Sequence, residues 1–100
     1  MNGSVTLKVS AKSNPNAVAG ALAAVLRESA TAELQAVGAG AINQAIKAVA
    51  IARNYLKGAN LDVVCAPSFV LVAIDESERT AISLQVERRK LEERIAQVEG

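Results

Sequence analysis

The apolar residues of this chain recur at two periods that alternate along its length, and that alternation limits its fold more than any single residue does. Val5, Leu7 and Val9 fall on one side of a segment whose other side carries Thr6 and Lys8, the pattern of a half-buried strand over Ser4 to Ser10. Val18, Leu22, Val25 and Leu26 then return at helical spacing and share one face. Asn14 suits a helix N-cap, and Pro15 suits the first helical position, where its missing N–H costs nothing. The pattern predicts a helix from Pro15 to about Arg27. Its remaining sides carry Ala19, Gly20, Ala23 and Ala24, a surface on which a second body can pack closely.

Ala32 to Val37 reads as a second strand, followed by Gly38-Ala39-Gly40 and a long helix from about Ala41 to Lys57, with Gly58 as its C-cap. Ile42, Ile46, Val49, Arg53 and Leu56 form the expected buried stripe, flanked by Ala45 and Ala50. Ile51 falls opposite, where a monomer would expose it. Asn60 to Ala66 is apolar at both periods, as in a strand buried on both faces. Pro67 interrupts, so Phe69 to Ile74 is either a bent continuation or a new strand. Asp75-Glu76-Ser77-Glu78 is the turn, and Thr80 to Glu87 returns. Leu91, Ile95 and Val98 then mark a short amphipathic helix.

The order is β-α-β-α-β-β with a C-terminal helical extension. That predicts an α/β chain, an α+β sandwich with a parallel or mixed sheet, as one domain over residues 4–88 and an extension over 89–100. Both helices follow strands, so their N-termini should emerge at one end of the sheet.

Composition narrows the chemistry. With 100 residues, one domain can bury a modest core, and the 51% hydrophobic content is mostly Ala and Val, so elements must approach closely. There is no His and one Cys, which excludes the usual zinc sites and His-dependent triads. No catalytic residue, metal or cofactor is expected. A lone Cys, read as a small core residue at Cys65, suits a reducing, cytoplasmic setting. The N-terminus is polar and the longest apolar run is cut by Lys47 and Arg53, so neither a targeting segment nor membrane insertion is expected.

The formal net charge of +1 hides an uneven distribution. Up to Asn60 the basic residues Lys8, Lys12, Arg27, Lys47, Arg53 and Lys57 outnumber Glu28 and Glu33; from Leu61 onward acidic residues prevail. A mildly basic front permits a local anion site.

The candidate site is the constellation Lys12, Ser13, Asn14, Asn16, Gly38, Gly40 and Asn43, which the topology brings to one end of the sheet. Glycines let a ligand approach backbone N–H groups at a helix start, whose dipole favours an anion. In the alternative reading they merely permit a tight turn. Lys47 extends the basic surface in one reading and belongs to a solvated helix face, with Lys57, in the other. Arg53 lies on the apolar stripe and is expected to snorkel or to satisfy C-terminal carbonyls. A dinucleotide fingerprint fails because Asn43 stands in place of its third glycine. Tyr55 and Phe69 are too few to stack bases, so nucleic-acid contact here has to be backbone-led, salt-sensitive and weakly sequence-selective.

Three runs resemble a known family. Leu7-Lys8-Val9-Ser10-Ala11-Lys12-Ser13-Asn14-Pro15-Asn16-Ala17-Val18-Ala19-Gly20-Ala21-Leu22 is very similar to the stage V sporulation protein S family, as are Ala36 to Ala45 and Lys47 to Arg53, with a shorter match at Glu78 to Ile82. The resemblance covers roughly Val5 to Arg88. More distantly, the element order and Gly40 to Leu56 resemble Alba-type chromatin and RNA-binding proteins. That resemblance implies a homodimer that binds nucleic acid through a lysine-bearing loop after the first strand, the loop before the second helix, and the last hairpin. Lys12 matches the first of these. Gly38-Ala39-Gly40 lacks the arginines of the second, and the acidic hairpin tip Asp75-Glu76-Ser77-Glu78 would repel phosphate.

The expectation is therefore an Alba-like, sporulation-related regulatory protein that binds the phosphate backbone non-catalytically as a homodimer or higher homo-oligomer. The first helix's small residues, Ile51 and the Leu91-Ile95-Val98 seam are the expected packing surfaces. The alternative is a regulatory scaffold that binds a protein partner and has lost nucleic-acid binding.

Overall fold

A computed structural model of the chain describes residues 5–91. The elements are β1 (Val5–Val9), α1 (Pro15–Glu28), β2 (Thr31–Ala36), α2 (Ala39–Leu56), a short 3-10 turn (Lys57–Ala59), β3 (Leu61–Ile74) and β4 (Ser77–Lys90). The four strands form one mixed sheet in the order β1-β2-β4-β3. β1 and β2 are parallel, from Val5↔Ala32 to Val9↔Ala36, and the other pairs are antiparallel. The α+β architecture and the β-α-β-α-β-β order are those read from the sequence.

α1 starts where its local chemistry says it should. The Asn14 side-chain oxygen accepts from the Asn16 and Ala17 amides at 2.8 and 3.3 Å, and Pro15 occupies the first helical position. Its C-terminus is closed by a distant residue. Arg88 on β4 donates to the Leu26 and Arg27 carbonyls at 2.8 and 3.2 Å, offsetting the helix's negative end.

Both helices cover one face of the sheet. Ala32, Leu34 and Ala36 of β2, with Leu84 and Val86 of β4, join Leu22 and Leu26 of α1 in a single buried cluster. On α2 the buried stripe is Ala41, Ala45, Ala48, Ala52 and Leu56, with Val49 beside it. The expected stripe through Ile42, Ile46 and Arg53 is rotated away: Ile46 is 48% exposed. The reason is that α2 packs on α1 as well as on the sheet, and small residues let the two helices approach. On α1 the small residues Ala19 and Ala23 are buried within the chain, while Gly20 and Ala24 stay exposed. Ile51, expected to be wet, is half-buried against the core.

The second half departs further from the sequence reading. Pro67 does not break the strand; β3 runs unbroken through the pair Pro67↔Leu84. It is tolerated because β3 is the sheet's edge, where a missing N–H leaves no neighbouring strand unsatisfied. Val64, alternating with the buried Val63, points to the face the helices leave bare and is exposed, so the strand is not buried on both faces. Gly58 is not the left-handed cap; it lies in the 3-10 turn, and Asn60 takes the positive φ of 63°. The reversal needs only Asp75 and Glu76, so Ser77 and Glu78 belong to β4. β4 continues to Lys90, so the boundary drawn at residues 88 and 89 falls inside a strand. Leu91 follows, its amide donating to the Asn60 carbonyl at 3.0 Å. The remainder of the expected C-terminal helix, with Ile95 and Val98, lies outside the described residues.

β4 pairs with β2 only from Ile82 to Glu87, whereas its pairing with β3 continues to Ile74↔Ser77. The outer half of the hairpin is thus a two-stranded arm beyond the sheet, and the molecule measures 60 × 30 × 22 Å. Among the described residues, no helix is long and apolar enough to cross a membrane.

Candidate functional site

The parallel pairing of β1 and β2 puts the start of α1 and the start of α2 at the same end of the sheet. Between β1 and α1 the chain makes a compact loop. The Ser10 amide donates to Ser13 Oγ at 2.9 Å, the Ser13 amide to the Ser10 carbonyl at 3.0 Å, and the Lys12 amide to Ser10 Oγ at 3.2 Å. These bonds occupy Ser13 within the loop and leave the Lys12 side chain exposed. Asn14 is similarly occupied, its oxygen capping α1.

The loop is fastened to α2. Gln44 Nε2 donates to the Ser13 carbonyl at 3.0 Å and to the Ala11 carbonyl at 3.4 Å. One turn earlier, Gly40 sits so close to the loop that a Cβ there would lie 3.0 Å from Ala11 Cβ. α2 opens at Gly38, whose φ of 92° suits glycine, and no side chain caps the helix there. Its first-turn amides are thus left without a side-chain cap at the end of the helix to which the Lys12 loop is fastened.

Lys12, Gly38 and Gly40 are thus brought together. Asn43 and Lys47 are exposed on the following turns of α2, at the i, i+3 and i+7 positions from Gly40. Asn16 is exposed on the first turn of α1. Gln44 is the residue that sequence reasoning missed: it organises the whole region, yet its partners are backbone carbonyls more than 30 positions away. No local pattern announces such a bond.

Two other polar clusters frame the site. On the sheet face turned away from the helices, the Glu33 carboxylate accepts from Ser83 Oγ at 2.6 Å, Thr6 Oγ1 at 2.9 Å and Gln35 Nε2 at 3.2 Å. The Ser83 hydrogen bond, with help from Gln35 and Thr6, holds this carboxyl below its ordinary value against partial desolvation. At the other end of α2, Arg53 neither snorkels nor caps carbonyls. Its guanidinium makes a two-pronged contact with Asp62, at 2.7 and 3.0 Å. Among the described residues, neither Lys8 nor Lys12 forms an ion pair, and no group of three or more His, Cys, Asp or Glu residues is placed to hold a metal ion.

The arm completes the surroundings. Val72, Ala73 and Ile74 line, together with Ser10 and Ala11, a half-open cavity of about 270 Å³. The acidic turn at Asp75 and Glu76 follows directly on Ile74, so negative charge adjoins the loop that carries Lys12. On the arm's other side Phe69 and Leu71 are 79% and 67% exposed, although they are large and apolar.

A two-layer α+β protein with a helix-covered mixed sheet, paired helix starts and a projecting hairpin is the class these features define. The sequence profile of the stage V sporulation protein S family (SpoVS) matches residues 5–89. With nearly the whole chain matched, the protein belongs to that family, a group of sporulation-related regulatory proteins.

Proposed function

We propose that this family member regulates by binding nucleic acid without catalysis, as a cytoplasmic homodimer. The observation that carries the reading is the fastening of the Lys12 loop to the uncapped start of α2 by Gln44 and Gly40. It holds the loop that carries the exposed Lys12 against the uncapped start of α2, a combination that suits a phosphate. Lys47, two turns along α2, adds a second cation on the same side. The resemblance to Alba-type proteins assigns the same loop and helix start to backbone contact. Few cations and no stacking platform mean weak, sequence-tolerant binding that falls steeply with salt.

For the homodimer, the edge strand offers a surface in addition to the exposed small residues of α1. Ala19, Ala23 and Ile51 are packed within the chain, whereas Gly20 and Ala24 on α1, Phe69 and Leu71 on the edge strand and Ile46 on α2 are left to water. A second copy covering the edge strand would bury Phe69 and Leu71 and shield its unpaired backbone.

Titration of DNA and RNA fragments at low and moderate salt, with the wild type and Lys12→Glu, tests nucleic-acid binding. Binding that weakens sharply in the variant supports the proposal; no binding at low salt, or indifference to the charge reversal, overturns it. Sedimentation of Leu71→Asp tests the interface, and an unchanged oligomer would discard it. A second reading, a scaffold for a regulatory protein partner, is favoured by one observation, the acidic arm tip at Asp75, Glu76 and Glu78. It becomes the better account if nucleic acid fails to bind.

A further inference from the structure

The cavity under the arm has a chemistry of its own, independent of nucleic acid. It opens at the carboxyl ends of the parallel strands β1 and β2, the place where open sheets with parallel strands commonly receive ligands. Val37, Val72 and Ile74 supply aliphatic walls, and Lys8 and Gln35 face each other across β1 and β2 at its polar side. Lys8 is the one charged residue of the lining. Glu33, on the same sheet face, turns its oxygens to Ser83, Thr6 and Gln35, and the ammonium has no ion-pair partner among the described residues. Gln35 gives one amide N–H to Glu33, which fixes its carboxamide beside Lys8.

We propose that this cavity binds a small aliphatic carboxylate, its hydrocarbon body against the valines and Ile74 and its carboxylate at Lys8. Volume and lining together select that class. About 270 Å³ is at the small end of ligand pockets. The lining contains no aromatic ring, so a nucleobase would find nothing to stack on. A neutral hydrocarbon would leave the Lys8 ammonium to water, whereas a carboxylate gains a charge-assisted hydrogen bond. A cation would meet Lys8 directly. The roof comes from the arm, which only β3 and β4 hold, so a ligand can enter without disturbing the core.

The test is a ¹H–¹⁵N NMR titration of the full chain with sodium hexanoate, 1-hexanol and hexylamine. Hexanoate is expected to give saturable shifts at the amides of Ser10, Val37 and Ala73, and hexanol to bind about tenfold more weakly. Lys8→Met should abolish the preference for the carboxylate while leaving hexanol affinity unchanged. Val72→Phe should fill the cavity and abolish both. Lys8 is exposed on its strand, so Lys8→Met carries the test even where Val72→Phe perturbs folding. Absence of saturable shifts with hexanoate, equal affinity for alcohol and carboxylate, or shifts centred on Phe69 and Leu71 would each overturn the proposal.

Discussion

Gly40 and Ala11, one on the first turn of α2 and the other in the β1–α1 loop, approach so closely that only the absence of a side chain on Gly40 lets them meet. A Cβ at Gly40 would stand 3.0 Å from that of Ala11. This contact sets the distance between the Lys12 loop and the second helix, and Gln44 holds it from one turn further on.

The contact predicts a coupled pair of substitutions. Gly40→Val should destabilise the protein by about 1–3 kcal/mol through overpacking. In the Ala11→Gly background, where the facing methyl is gone, the same substitution should cost measurably less. Thermal denaturation of the four proteins gives the coupling directly. Additive effects would show that the loop accommodates a side chain by moving elsewhere.

The Arg53–Asp62 pair predicts how stability responds to acid. The hydrogen bond from Arg53 is the main reason the Asp62 carboxyl lies below its usual value, with the Val63 amide and the charge of Arg89 assisting against some desolvation. A lowered folded value means that the stabilisation is complete above the unfolded carboxylate pKa, about 3.9, and is lost as pH falls through the folded one. Asp62→Asn should therefore be somewhat less stable than wild type at neutral pH and lose less on acidification between about pH 5 and 2. Glu33→Gln should flatten the curve in the same direction, because its carboxyl is also held low. Urea midpoints measured across that range decide it; parallel curves would deny the pair any role.

The hairpin reverses through Asp75 and Glu76 at φ of 50° and 65°, left-handed backbone that Asp tolerates and Glu does not favour. Glu76→Gly should relieve that strain and stabilise the arm by about 0.5–1 kcal/mol. The arm can open without the core, so hydrogen exchange of its amides is the sensitive measurement. Slower exchange from Val70 to Ala81 is the expected result, and unchanged or faster exchange would refute it.

The acidic tip predicts that the protein restrains its own affinity for nucleic acid. Ile74 shares a cavity with Ser10 and Ala11, so the charges that follow it stand near the Lys12 loop. Asp75→Asn, Glu76→Gln and Glu78→Gln combined should raise affinity about tenfold at low salt, and the gain should shrink as salt screens it. Fluorescence anisotropy with a labelled oligonucleotide reads this. Equal affinities at low salt would show that phosphate does not pass the tip.

Much of this architecture is legible in the sequence because it rests on neighbours. Asn14 and Pro15 start α1 through bonds within a few residues, and the alternation in β1 and β4 reports which side chains face the core whatever lies opposite. The grouping of Lys12 with Gly38 and Gly40 also follows from element order alone, since two helices that each follow a parallel strand must begin at one end of the sheet.

What only the tertiary structure decided depends on partners far along the chain. Pro67 could be placed only once β3 proved to be the edge, and Val64 only once both helices proved to cover the other face, because these are properties of the sheet and not of the strand. Burial on α2 moved from its isoleucines to its alanines because α1 claims a second side of that helix, and close approach outweighs side-chain bulk there. Gln44 joined the site through two backbone carbonyls, which carry no sequence signature at all. The sequence alone determined which segments become strands and helices and at which end of the sheet the basic loop lies. Long-range packing decided which surfaces are covered, because each element's periodicity names its apolar face but not the neighbour that occupies it.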